Sequence, residues 1–203
     1  MKLSHIVYKV NNLKKAFTHF QKEGFHVEYG SKTNPHNALI YFSEGPYIEL
    51  LEKVAIPFSK RAALKLMGKQ KVLDRLDRWG NAQEGPIDLC LENYEQDLKQ
   101  EALVLKKYKQ SYFITDSKRV DPSDRLLKWK LLFPNELSMP FLMTYFNVNP
   151  KPKNFVHPNG VKGIKAISFS TSKELIPLIK ELCADDLLNL GIGNGEINFS
   201  YEK

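Results

Sequence analysis

The chain has 203 residues, 42% of them apolar and 26% charged, which suits one large or two small globular units able to bury a core. No apolar run approaches the ~18 residues that a spanning helix needs, so no membrane partner is expected. The net charge of +7 invites a nucleic-acid reading, but the lysines are spread along the chain rather than massed, which argues against it.

MKLSHIVYKV opens as a strand, rich in β-branched and aromatic residues. Asn11 or Asn12 can cap the helix that follows, NLKKAFTHFQKEGF. Its Leu13, Ala16, Phe17 and Phe20 share one face, and Gly24 ends it. FHVEYG, HNALIYF and YIELLEK read as three strands, the last two joined by a tight SEGP turn. The same order then returns: PIDLCLEN as a strand, YEQDLKQEALVLKKY as a helix with Leu98, Ala102 and Leu105 on one face, then strands SYFITD, RLLKWKLLF and PFLMTYFN. A third start comes at GIKAISFS, followed by a helical stretch to about Asn189, in which Pro177 predicts a kink or a late start. GIGNGEINFSYEK supplies one or two more strands.

This order predicts an α+β protein with βαβββ modules at 1–52 and 86–147 and a partial third module at 163–203. A helical basic insert at 53–85 and a Pro-rich linker at 148–162 separate them. Within the insert, residues 60–79 place Val72, Leu76 and Trp79 on one helical face and read as a solvated basic helix packed by that face. Cys90 and Cys183 stand in apolar contexts and read as reduced, buried thiols of a cytoplasmic protein. The N-terminus begins directly on a strand pattern, with no signal peptide expected. Sheet edges left by the odd module count invite a homodimer.

Two βαβββ modules, His5 in the first strand, HNAL in the third and Tyr47-Ile48-Glu49-Leu50 in the fourth resemble the vicinal oxygen chelate superfamily, and within it the glyoxalase-like branch. RLLKW before a Pro-bounded strand, and VHPNGVKGI, resemble that branch at matching places. The resemblance implies paired modules forming an eight-stranded, cup-shaped mixed sheet with helices on its outer face. The concave side of such a cup usually holds a divalent metal and an oxygen-rich substrate.

Alternation puts Leu3, His5 and Val7 on one strand face, and Tyr47, Glu49 and Leu51 on one face of theirs. An imidazole nitrogen and a carboxylate oxygen suit Zn, Mn, Fe or Ni, which makes His5 and Glu49 the candidate metal ligands. Glu49 is also the candidate catalytic group, able to move protons beside a metal-polarised carbonyl. Without a metal, a hydrogen bond on His5 and a salt bridge on Glu49 would equally satisfy both. The places where the family's second module contributes ligands carry Pro86 and Met143, neither suited to such ions. A third donor would then be His36 or His157. Arg125, Leu127, Trp129 and Leu131 share one strand face, and Phe141, Met143 and Tyr145 another. An arginine among aromatics suits a carboxylate or phosphate on an apolar ligand. The candidate substrate-binding set is therefore His36, Asn37, Arg125, Trp129, Phe141, Met143 and Tyr145. The leading expectation is a glyoxalase-like protein that binds or converts a small, oxygenated, anionic metabolite. As an enzyme it would be a metal-dependent lyase, isomerase or dioxygenase. The alternative is a metal-free binding or sequestration protein of the resistance type, and a third reading is a nucleic-acid adaptor using residues 60–79.

Overall fold

The computed structural model describes residues 1–54 and 56–203; Ala55, inside the 53–85 insert, lies outside the described residues. The first module consists of β1 (Lys2–Lys9), α1 (Leu13–Lys22), β2 (Glu28–Tyr29), β3 (Asn37–Ile40) and β4 (Tyr47–Leu51). Two insert helices follow, α2 (Phe58–Leu66) and α3 (Gln70–Asn81). The second module repeats the order with β5 (Gly85–Asn93), α4 (Lys99–Lys107), β6 (Tyr112–Val120), β7 (Leu126–Pro134) and β8 (Phe141–Thr144). All eight strands form one mixed sheet in the order β2-β3-β4-β1-β5-β8-β7-β6. Within each module the first and last strands run parallel, and the antiparallel β1–β5 pair joins the two modules. This is the α+β architecture of paired βαβββ units that the sequence predicts. Among the described residues no helix is long and apolar enough to cross a membrane.

The remaining elements are β9 (Gly163–Thr171), α5 (Ile176–Leu182), β10 (Leu188–Ile192) and β11 (Ile197–Glu202). They make a separate three-stranded sheet, ordered β10-β9-β11. The helix expected to reach Asn189 stops at Leu182, because residues 188–192 pair in parallel with β9 instead. Pro177 marks a late start: it sits in the first turn, where its missing N–H is not needed.

Helices and terminal sheet cover one face of the large sheet. Ile6, Ile48, Leu50, Leu89, Leu91 and Leu142 pack there with Leu13 of α1, Leu98 and Leu105 of α4, and Ile167, Leu178 and Ile179 of the terminal unit. The linker is stapled to the same side. His157 Nδ1 accepts the His26 N–H at 2.9 Å, and Asn159 Nδ2 donates to the Glu23 carbonyl at 2.8 Å. This contact needs Gly24, whose φ is +78° and where a Cβ would lie 2.8 Å from that of Asn159.

The other face is concave, and α3 is docked into it. Val72, Leu76 and Trp79 meet Val7, Cys90, Phe133, Phe141 and Met143. The apolar stripe expected on the insert is present and packs by its expected face, but residues 60–79 are divided between two helices and Arg75 of the second is not solvated. Arg75 is wholly buried: Nη1 donates to Asp88 Oδ2 at 2.7 Å and to the Met139 carbonyl at 3.0 Å, and Nη2 to the Glu136 carbonyl at 2.9 Å. Asp88 Oδ2 also accepts Arg78 Nη2 and Trp79 Nε1, both at 2.8 Å. An unpaired buried cation would cost several kcal/mol. The pairing with Asp88 is what lets Arg75 be buried where the helix packs on the sheet.

The sheet curls far enough for its two edges to touch. Arg119, near the end of β6, donates through Nη1 to the Gly30 carbonyl just beyond β2, and through Nη2 to Tyr41 Oη at 3.0 Å.

Candidate functional site

His5 faces the cup because β1 is bulged. Strict alternation puts Leu3 with His5, but a register irregularity against β5 falls between them. Leu3 therefore joins the helix-side core, while His5 and Val7 turn toward the hollow. The β4 strand, paired in parallel with β1, brings Glu49 to the same place: its Oε2 lies 3.3 Å from His5 Nε2. Glu49 Oε1 accepts Asn37 Nδ2 at 2.6 Å, and Ser4 Oγ lies 3.0 Å from His5 Nδ1. The imidazole stacks on Tyr47 at 4.6 Å between centroids and meets Phe141 edge-on at 5.5 Å. Asn37 is held against a glycine by necessity, since a Cβ on Gly30 would lie 1.9 Å from its Oδ1.

Burial pushes the Glu49 carboxyl up, but the hydrogen bond and charge of His5, the Asn37 amide and the Arg119 guanidinium outweigh it and hold the group below the ordinary carboxylate range. Burial pushes the Tyr41 and Tyr47 phenols up, so both stay protonated at neutral pH. His5, Asn37, Tyr47 and Glu49 line a cavity of about 160 Å³ whose walls also include Trp79, Arg119, Trp129, Phe141 and Phe146. An open cleft of about 970 Å³ adjoins it, sharing Trp129 and Phe146. Lys60, Lys118, Lys128 and Lys130 line that cleft, opposed by Glu95 and Asp116.

The structure brings His5, Asn37, Glu49, Trp129, Phe141 and Met143 around the small cavity. Tyr145 lines the adjoining cleft. Arg125 stands apart: it precedes β7, and its Nε donates to Asp121 Oδ2 at 2.7 Å across the β6–β7 turn. His36 is at the base of the β3–β4 hairpin, where its carbonyl accepts the Glu52 N–H at 3.0 Å. His157 is buried among Phe25, Phe42 and Phe155, on the helix side of the sheet. Of the wall residues outside the expected set, Arg119 and Trp79 matter most. Arg119 lies in a strand that runs four residues past the expected SYFITD, and continued alternation of Thr115, Ser117 and Arg119 is the signal that reveals it. Trp79 was foreseen on a helical stripe, but a stripe does not say what it docks against.

A family model described as a glyoxalase-like domain matches residues 3–183. The chain belongs to this glyoxalase-like family. It is thereby a vicinal oxygen chelate protein, as the motif order implies. A hypothetical protein from Staphylococcus aureus is similar in fold, 16% identical with a TM-score of 0.61, over 96% of this chain and 88% of that one. Glyoxalase I from Zea mays is 13% identical with a TM-score of 0.40, over 90% of this chain and 56% of its own. A mutant of that maize enzyme is 12% identical with a TM-score of 0.39, over 89% and 54%. The glyoxalase-like chain thus spans about half the length of either maize structure, and scores so low say nothing of its site. No curated protein matches it.

The donor set of this glyoxalase-like cup does not fit the divalent metal that the family usually carries. Strand register equates His5, opposite Tyr47, with Cys90, opposite Phe141, rather than with Pro86. Glu49 keeps Met143 as its counterpart, opposite Glu92 as Glu49 is opposite Val7. Cys90 is wholly buried, and burial pushes its thiol well above the usual range, which disfavours the thiolate that binds metals. Among the described residues no three His, Cys, Asp or Glu side chains come close enough to hold an ion. His5 and Glu49 satisfy each other instead, where a zinc site typically uses at least three protein ligands.

Proposed function

We propose that this glyoxalase-like protein binds a short-chain, anionic, oxygenated metabolite in its cup without a resident metal, and that Glu49 moves a proton on it. The observation that carries this reading is an ionised Glu49 held 3.3 Å from His5, beside Arg119, in a cavity of about 160 Å³. Such a volume has room for about five waters at ~30 Å³ each, which suits a short oxyacid rather than a drug-sized ligand. The Arg119 guanidinium holds Gly30 and Tyr41 through its two Nη atoms and has further N–H donors to offer a carboxylate. The lysines of the adjoining cleft draw anions toward it. Glu49, as the base, would take a proton from carbon next to a carbonyl, while Arg119, held by Tyr41, stabilises the resulting oxyanion. Binding without turnover, the sequestration role, is favoured by the same missing third metal donor.

Proton NMR in D₂O separates these roles, using pyruvate as the probe with chelator present. Loss of the methyl signal, on the carbon next to the keto group, that Glu49→Gln abolishes supports the catalytic role. A chelator-resistant thermal shift that Arg119→Met abolishes, without exchange, narrows the function to sequestration. Binding that appears only after metal loading overturns the metal-free reading. A homodimer through the β6 edge, where Ile114 and Val120 are exposed, fits the same picture. Light scattering that returns only the 23.4 kDa monomer removes it.

A further inference from the structure

Strand β5 carries a second buried carboxylate that the cup site does not use. Asp88, Cys90 and Glu92 alternate along one face of this strand, and α3 fills the Asp88 end. At the other end Glu92 is 1% exposed, yet its Oε2 has no hydrogen-bond partner among the described residues. Its Oε1 has only a long contact, from Tyr94 Oη at 3.3 Å. A buried carboxylate oxygen without a donor is costly, so the position calls for a positive group.

Glu92 lines a cavity of about 590 Å³ with Tyr94 and Tyr145, whose ring centroids are 5.0 Å apart. Tyr94 is 66% exposed, an aromatic ring left at the rim. The chain's own cations stop short of Glu92: Lys151 is near enough to feel its charge, but it makes no contact with the carboxylate. Lys151 Nζ donates to the Gly45 carbonyl at 2.7 Å and stands over the Tyr47 and Tyr145 rings at 5.9 and 5.8 Å. Lys2 is exposed on β1. Asp185 is engaged by the backbone N–H groups of Leu3 and Leu187, at 2.9 and 3.0 Å. Glu44 and Asp186 add further negative charge to the same walls.

We propose that this cavity binds a primary ammonium group, with Glu92 as its buried counter-charge and Tyr94 and Tyr145 as its aromatic walls. An ammonium brings three donors to a carboxylate with unused acceptor capacity, and tyrosine faces attract cations. The lining shares no residue with the His5–Glu49 cavity; Tyr94 and Tyr145 also border the open cleft beside it, but Glu92, on which this site turns, belongs to neither.

The test titrates the full chain at neutral pH with n-butylammonium, and with n-butanol as the neutral probe of the same stem, following ring resonances in ¹³C-tyrosine-labelled protein. Saturable shifts of Tyr94 and Tyr145 are expected with the ammonium, on the order of tenfold weaker with the alcohol. Glu92→Gln should weaken ammonium binding by a similar factor. No saturable shift, an equal response to n-butanol, or undiminished binding in Glu92→Gln overturns the site. Should Glu92→Gln fail to fold, the comparison of ammonium with alcohol on the unaltered protein decides alone.

Discussion

Replacing Asp88 by alanine removes the acceptor on which three side chains of α3 converge. Arg75, wholly buried, keeps the Met139 and Glu136 carbonyls but loses its counter-charge. Breaking a buried pair from one side costs about 3–5 kcal/mol, and the surviving carbonyl contacts place this case near the lower figure. The orphaned Trp79 Nε1 adds about 1 kcal/mol. A loss of about 3–4 kcal/mol should lower Tm by roughly 6–16 °C in a chain of this length. Urea unfolding followed by tryptophan fluorescence measures it directly, since Trp79 and Trp129 both wall the cup. The double variant Arg75→Met/Asp88→Leu should recover more than half of the loss, because apolar groups often replace a buried ion pair without penalty. Asp88→Ala within about 1 kcal/mol of the parent, or a double variant as damaged as the single, would refute the anchoring of α3 through this pair.

Two further outcomes follow from the small cavity. The folded carboxyl of Glu49 titrates below its unfolded value, so ionisation stabilises the fold above a pH of about 4.3, and that contribution is lost as pH falls through the folded value. The stability gap between the parent and Glu49→Gln, read by denaturant unfolding, should therefore be present at neutral pH and close in acid; a gap that widens in acid reverses the sign. Gly30→Ala forces Asn37 off its place against Glu49, and should weaken ligand binding in a thermal-shift assay by about tenfold or more. Unchanged binding in that variant would mean that the Asn37 contact does not organise the site.

What could be read from the sequence was what is local. Helical stripes such as Leu98, Ala102 and Leu105 and the capping Asn12 depend on neighbours within a few residues, and all take their expected places. The convergence of His5 with Glu49 was readable because each strand's alternation and the module order imply it. Leu3 was misplaced because a bulge shifts parity by one residue, and nothing in LSHIV marks where the extra residue falls. Arg125 was read as the start of a strand, but Asp124 adopts φ of +61° and Asp121 accepts the backbone N–H groups of Ser123 and Arg125, so the chain is still turning there. The pairing of Cys90 rather than Pro86 with the His5 position depends on strand register, which count along the chain does not determine. The docking of α3, and with it the burial of Arg75, depends on a partner surface nine or more residues away in sequence and assembled only by folding.

The segment that stoppers the hollow is not part of the barrel wall that shapes it. Trp79 narrows the chamber from α3, while His5 and Glu49 are carried by hydrogen-bonded strands. Adding or deleting one turn beyond the Asp88 anchor would move the tip of that helix by about 5.4 Å without touching a strand residue. Ligand girth and ligand chemistry are thus set by two separable parts, and redesign could retune the first by editing a single excursion of the chain.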